Sequence, residues 1–497
     1  MQTQSRAGGQ TEQPGPACST RSACSRYTRA RPPPSEGWGE TARHPRDRRY
    51  RSAAHLSVPN SCRFRLDGGA ILRTRTAVTL SGVLDLFPDT AAVEDGELVL
   101  GGIAASTLAR DFGTPLVVYC RRTILGQVRE YQRVVPEGLV LYGTKAFPNV
   151  ALLRLFAGEG LGADVSTLGE LRFARSAGMP AERIVFHGNN KSDDELRAAA
   201  EAEATIVLDA PDEAERAHAA GVTRALIRLT PGVEAHTHQS IQTAHSESKF
   251  GLDPDQALAT IRDARELVDL AGVHVHIGSQ LARADESIAA VDRLLEFCER
   301  VRDEHGWLPR IVDIGGGLAI RHSRDENAPS VAAFAGALVG RFRAGWTEPV
   351  WFYLEPGRSL IGRAGVTLYR VGATKRSGGV EYVAFDGGMS DNPRPQLYGA
   401  RYEALLANRA DEPATGVFRI AGKHCESGDV LIDGARLPAP RRDDLLAVPA
   451  TGAYTLAMAS TYNGVPRPAA VLVADGAAQL IRRRETIDEL LSFEPDV

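Results

Sequence analysis

Four short segments carry residue types that together could bind a carbonyl carbon, a ring nitrogen and a phosphate. Lys145 follows the apolar run LVLY, so its amine would stand at a strand end, placed to form a Schiff base. Gly315-Gly316-Gly317 follows IVDI, and glycines there let backbone N–H groups approach and surround a phosphate. Glu355 opens Glu355-Pro356-Gly357-Arg358 after VWFYL; a carboxylate in that place can keep a pyridine nitrogen protonated and so make its ring an electron sink. His276 and Ser279, in VHVHIGSQ, could lay an imidazole on a cofactor face and offer a hydroxyl to phosphate. Asp164, His187 and Arg228 end three further runs, as supporting partners of cofactor and lysine. Each also has a plainer reading: a solvated lysine, glycines for a tight turn, Glu355 paired with Arg358, a histidine satisfied inside the core.

The elements that must position these groups are eight apolar runs: LVLYGTK, LGADVST, IVFHGNN, TIVLDAP, ALIRLTP, GVHVHIGS, IVDIGGGL and VWFYLEPGR. Stretches of helical period, such as TLGELRFARSAG and SDDELRAAAEAE, separate most of them, which is the sequence form of a parallel α/β sheet. Eight such units, with polar or chargeable residues at one end throughout, predict a closed (β/α)8 TIM-like barrel over residues 114–360. Beyond it, VTLYRVGATKR, GVEYVAFDGG, GVFRIAGKHCESGDVLI, AAVLVADG and AQLIRRRE predict a β-rich C-terminal domain over 361–497. Residues 77–113 form an N-terminal segment before the barrel, and 1–76 form an Arg/Pro-rich tail without lysine or sustained apolar period, expected to be disordered. In that tail arginines outnumber acids by nine, which fits a transit peptide, an acid-binding arm or upstream sequence from an early start assignment.

At 497 residues the chain holds about two folded domains, and its net charge of −4 gives no sign of affinity for nucleic acid or membrane. Small-molecule chemistry fits better. Six cysteines at 18, 24, 62, 120, 298 and 425 form no CxxC pair, so neither a disulfide framework nor a zinc site is suggested and a reducing cytoplasm is expected. His236, His238 and His245 have no carboxylate or cysteine at zinc-like spacing, so no metal is expected. No apolar run reaches the roughly 20 residues a bilayer requires.

Taken in order, Tyr142-x-x-Lys145-Ala146, His276-Ile277-Gly278-Ser279, Gly315-Gly316-Gly317 and Glu355-Pro356-Gly357-Arg358 resemble the pyridoxal-phosphate-dependent decarboxylases of the ornithine/diaminopimelate type, from about residue 90 to 480. Asp386-Gly387-Gly388-Met389-Ser390-Asp391, Arg394-Pro395-Gln396-Leu397-Tyr398, Cys425-Glu426-Ser427-Gly428-Asp429 and Gly452-Ala453-Tyr454 are similar to motifs of its diaminopimelate-decarboxylating branch. The resemblance implies an alanine racemase-like barrel, a Greek-key-type β domain to which residues 77–113 contribute, and a homodimer with shared active sites. It implies pyridoxal 5'-phosphate on Lys145, held also by Asp164, His187, Arg228, His276, Ser279, Gly315, Gly316, Gly317, Glu355, Gly357, Arg358 and Tyr454. An amino-acid substrate, meso-2,6-diaminopimelate, would meet Arg358, Arg394, Tyr398, Glu426 and Tyr454, and Cys425 of the second subunit would return a proton. A substrate with a distal amino-acid end needs a cation for its carboxylate and an anion for its ammonium, which Arg394, Arg358 and Glu426 provide. The chain departs from the family at Ala244 and His245 and at GTKAFPN around the lysine, which leaves open a related substrate: ornithine, lysine, arginine, carboxynorspermidine or a carrier-linked amino acid. A non-catalytic relative remains the alternative of a different class.

Overall fold

The computed structural model describes residues 82–230, 232 and 248–495. The expected disorder of residues 1–76 lies outside them. Within the described chain the eight runs become parallel strands closed into a barrel: β5 (Leu139–Gly143), β6 (Gly162–Val165), β7 (Ile184–Phe186), β8 (Thr205–Leu208), β9 (Arg224–Arg228), β10 (Asp269–His274), β11 (Ile311–Asp313) and β12 (Trp351–Leu354), with β12 pairing back to β5. The expected barrel is therefore present, strand for strand.

Side-chain alternation along these strands sets up two layers inside it. Leu141, Val185, Val207, Leu226 and Ile311 form an apolar plug. Two residues on, the same inward face carries Gly143, His187, Asp209, Arg228 and Asp313, so the barrel changes from oil to polar groups within one pleat. The helices outside begin close behind the strand ends and are capped locally: Asn149 accepts from the N–H groups of Ala151 and Leu152, Thr167 from Glu170, and Ser192 forms a capping box with Glu195. Such caps fix where each strand-to-helix loop ends, and so how far the loop residues reach over the mouth.

The second sheet is mixed. Its order is β17 (Val430–Leu437), β16 (Gly416–Ala421), β14 (Val380–Phe385), β13 (Gly365–Ser377), β4 (Leu116–Cys120), β19 (Ala469–Ala474) and β20 (Ala477–Arg482); β18 (Leu445–Val448) also pairs with β13, and β15 (Leu405–Leu406) with β18. One expectation needs correcting here. Leu116–Cys120, counted within a barrel starting at Thr114, is a central strand of this sheet, antiparallel to β13 and parallel to β19. An all-apolar strand is buried on both faces in either setting, so its composition does not tell them apart. The small sheet β1 (Ala92–Glu94), β2 (Glu97–Leu100), β3 (Ile103–Ala104) buries Leu98 and Leu100 against Leu116, Val366 and Val471. Among the described residues no helix is long and apolar enough to cross a membrane.

Candidate active site

The polar layer of the barrel supplies the centre. Lys145 stands in a 3-10 turn, Thr144–Ala146, directly after β5, and its Nζ donates to Asp164 Oδ2 at 3.0 Å. Burial alone would push the ammonium's pKa down; Asp164, Tyr454 and Glu355 together outweigh that and hold it above the ordinary lysine value. Its side chain is nevertheless 47% exposed toward the open mouth, so water screens part of that pull.

Glu355, just past β12, is 5% exposed and lies between two imidazoles. His274 Nε2 is 3.3 Å from Oε2, while His187 Nε2 is 2.7 Å from Oε1 but not angled to hydrogen-bond it. Burial opposes the Glu355 anion, yet the paired histidines hold its pKa well below the usual carboxylate range. Burial also pushes His274 down to about 4, so it is a neutral donor. Asp313 completes a buried group in which one donor atom each from His187, His274, Asp313 and Glu355 lie within 4.8 Å of one another. We read this group as the seat of a protonated ring nitrogen and not as a metal centre. A lysine within electrostatic reach and an adjoining glycine cradle suit a phosphorylated organic cofactor, and a metal would need neither.

The cradle follows β11. A Cβ on Gly316 would sit 2.2 Å from the Glu355 carbonyl oxygen, and Gly317 has φ +108°, with a Cβ meeting the Gly278 oxygen at 2.6 Å. Only glycine lets the loops after β10, β11 and β12 approach this closely. Half-buried His276 accepts from Gly316 N–H through Nδ1 at 3.3 Å, and burial keeps the ring neutral. Ser279 accepts from Arg358 Nη2 at 3.1 Å, and the Arg358 guanidinium lies 4.5 Å from the centre of the Tyr454 ring. Gly357 packs beside the Tyr454 hydroxyl and Gly143, which closes the circle back to β5.

Arg358 and Arg394 are 8% and 4% exposed, and among the described residues neither has a carboxylate partner. Arg394 Nη1 donates to the Tyr402 hydroxyl at 2.7 Å and to His322 Nε2 at 2.8 Å. Arg358 leaves Nε and Nη1 without hydrogen bonds, and Arg394 leaves Nε. Burial, then the charge of Arg394, pushes the Arg358 pKa down to about 10. Two buried guanidiniums raising each other's energy make a ready seat for a carboxylate.

Of the residues singled out in the sequence, Lys145, Asp164, His187, His276, Ser279, Gly315, Gly316, Gly317, Glu355, Gly357, Arg358 and Tyr454 therefore gather at one mouth. Arg228 is in the same layer, but its nearest carboxylate is Asp209, 3.6 Å away. Tyr398 ends the short helix Arg394–Tyr398 and is half-buried. Cys425 and Glu426 lie apart: both are exposed in the loop between β16 and β17, where Cys425 N–H donates to Asn463 at 3.0 Å and Glu426 accepts from Gly428 at 3.2 Å. His236, His238, Ala244 and His245 fall outside the described residues. Sequence reasoning missed His274 and Asp313, although each ends a barrel strand, and Asp209, the residue just past β8, and also His322 and Tyr402, which only folding brings to Arg394.

Residues 121–362 match the family of the pyridoxal-dependent decarboxylase pyridoxal binding domain. The chain is 42% identical to the diaminopimelate decarboxylase of Bacillus subtilis (strain 168), over 81% of its own length and 96% of that protein. It is 40% identical to the diaminopimelate decarboxylase of Halalkalibacterium halodurans, over 80% and 95% of the two chains. Among solved structures, diaminopimelate decarboxylase from M. jannaschii in co-complex with L-lysine is similar with a TM-score of 0.77 and 33% identity, over 82% of this chain and 98% of that one.

Proposed function

Because this chain belongs to the diaminopimelate decarboxylases, a family of pyridoxal-dependent carboxy-lyases, we propose that it takes carbon dioxide from the D-centre of meso-2,6-diaminopimelate and releases L-lysine. The observation that carries this substrate is the pair of buried arginines, Arg358 and Arg394, beside the lysine-bearing mouth and without carboxylate partners among the described residues. A diamine-forming relative would have no distal carboxylate to place there.

The residues present fit pyridoxal 5'-phosphate: Glu355 Oε1 is buried without a hydrogen bond, the glycine cradle has no room for a Cβ, and Arg358 has unused donors. When bound, the cofactor supplies an electron sink for the pair left on carbon when the C–C bond to the carboxylate breaks. Lys145 would be its attachment point, and Asp164 would keep a carboxylate beside the lysine's nitrogen. Glu355, flanked by His187 and His274, would keep the ring nitrogen protonated. Gly315, Gly316, Gly317, Ser279, Gly357 and Tyr454 would hold the phosphate, and His276 would support the ring. Arg358 and Arg394 grip the distal carboxylate, Tyr398 lines that end, and Glu426 answers the distal ammonium. The Cys425 thiol gives its proton to the carbon that lost carbon dioxide, and solvent returns one to the sulfur. Since Cys425 and Glu426 are exposed and distant in bonding from the mouth, a homodimer in which each copy lends this loop to the other completes the scheme. A cytoplasmic setting accords with Cys120, Cys298 and Cys425 all being free thiols.

Purified protein supplied with the cofactor should release lysine and carbon dioxide from meso-diaminopimelate in preference to ornithine, lysine or arginine. Lys145→Ala should lose turnover and the lysine-linked visible absorbance together. Faster turnover of ornithine than of diaminopimelate would sink the substrate, and an active Lys145→Ala would sink the chemistry.

A further inference from the structure

One buried group in the barrel centre has no task in the scheme above. Asp313 is fully buried at the end of β11, and its Oδ1 accepts from Gly315 N–H at 2.8 Å, at the start of the glycine loop. The backbone around it ties that loop to its neighbours: Val275 N–H donates to the Asp313 carbonyl, Ile314 N–H to Tyr353, and Glu355 N–H to the Gly315 carbonyl, at 2.9, 3.1 and 2.9 Å. Its carboxyl lies within 4.8 Å of that of Glu355. We propose that Asp313 is a positioning residue that retains its proton, so that Glu355 is the single anion offered to the cofactor's ring nitrogen, while Asp313 holds the start of the phosphate-binding loop beside that carboxylate.

The argument is a proton count. Two buried carboxylates this close cannot both ionise unless a cation lies between them. The charged and titratable groups around the Asp313–Glu355 pair are Lys145, Asp164, His187, Arg228, His274, His276 and Tyr353. Of the two full cations, Lys145 is engaged by Asp164 at 3.0 Å and Arg228 by Asp209 at 3.6 Å. The histidines favour Glu355: both approach its oxygens, whereas Asp313 has one backbone N–H for support. The single proton therefore resides on Asp313. In agreement, burial and then the Glu355 charge hold the Asp313 pKa well above the carboxylate range. His274, kept neutral by burial, serves as a donor to Glu355.

This inference rests on the cofactor reading, and the test separates the two. Asp313→Asn copies the neutral acid in shape and donor capacity; Asp313→Ala removes both. With unaltered holoenzyme as reference, Asp313→Asn should keep the cofactor dissociation constant within about twofold and leave the pH midpoint of the cofactor's visible absorbance in place. Asp313→Ala should weaken cofactor binding by about tenfold or more, the usual consequence of orphaning a buried hydrogen-bonding group, and should shift that midpoint. A shifted midpoint in Asp313→Asn, or an Asp313→Ala indistinguishable from the native protein, overturns the proposal. Should the variants fail to fold, infrared spectroscopy of the native holoenzyme decides: a protonated carboxyl stretch must persist at about pH 8, far above the ordinary aspartate pKa, and its absence counts against Asp313 as a neutral acid. Native protein that binds no cofactor at all refutes instead the function from which the inference starts.

Discussion

Replacing Gly316 by alanine tests the cradle with a single methyl group. That methyl would stand 2.2 Å from the Glu355 carbonyl oxygen and 3.0 Å from its carbon. A carbon-to-oxygen contact settles at about 3.3 Å or more, so the loop and the end of β12 must part by about 1 Å. No flexible side chain can absorb this, because the obstructing atoms are backbone. Overpacking of this kind costs about 1–3 kcal/mol. Glu355 and the glycine loop bracket the proposed cofactor, so the displacement falls on cofactor affinity, and the cost converts to about a 5- to 150-fold weaker dissociation constant. The assay is to strip the cofactor, titrate it back by visible absorbance, and melt each form. Gly336→Ala is the matched control: it lies inside the helix Val331–Gly345 with nothing within 4 Å of the new methyl, and should stabilise the fold by about 0.5–1 kcal/mol without altering cofactor binding. If Gly316→Ala binds cofactor within twofold of the native protein, the close approach of the two loops does not govern the site.

Arg394→Leu should raise KM for diaminopimelate by about tenfold or more while cofactor affinity moves less than about twofold, since a charge-assisted bond contributes about 1.5–3 kcal/mol; equal losses in titrations of both ligands would make Arg394 structural. Asp391, fully surrounded and bonded by the Tyr369 hydroxyl and Gly388 N–H, has its pKa pushed up to about 7 by burial. Its folded value is raised, so the associated stability is whole below about pH 4 and drains away as pH rises through about 7. Urea unfolding should accordingly show Asp391→Asn gaining on the native protein between pH 5 and 8, and a constant difference across that range would contradict the burial argument. His322 goes the other way: burial lowers it to about 4, so its contribution is complete above about pH 6.5 and lost as pH falls through about 4. Substrate KM should climb toward that acid limit, because a protonated His322 can no longer accept from Arg394; a KM flat down to pH 4 would show that the contact does not hold the arginine. Finally, inactive Lys145→Ala and Cys425→Ala proteins, mixed and allowed to exchange subunits, should recover about one quarter of the native sites, and continued inactivity of the mixture would place both residues' work within one chain.

The barrel was legible because each strand announces both its apolar body and its polar end. The catalytic candidates stood out where chemistry was unusual for the position, as with Lys145 after LVLYGT and Glu355 before Pro-Gly-Arg. His274 and Asp313 passed unnoticed because their neighbours His276 and Gly315–Gly317 offered more familiar roles, although the two-residue period places them on the inward face. His322 and Tyr402 were out of reach for a different reason: Arg394 finds His322 across 72 residues and Tyr402 eight residues on, past the end of its own helix, and no periodic pattern encodes either meeting. The strand Leu116–Cys120 marks a further limit, since its burial on both faces is plain in LVVYC but the identity of its neighbours is not.

That same strand dictates an order of events during synthesis. Leu116 pairs with Ala469, so a ribosome adding about 5–20 residues per second finishes the entire barrel before the mate of this strand exists, a delay on the order of tens of seconds. A nascent protein thus carries one completed half and one apolar ribbon awaiting its seal. A transcript truncated between β13 and Ala469 would leave that ribbon bare along the edge that β19 covers, a sticky edge for chaperones and proteases to recognise.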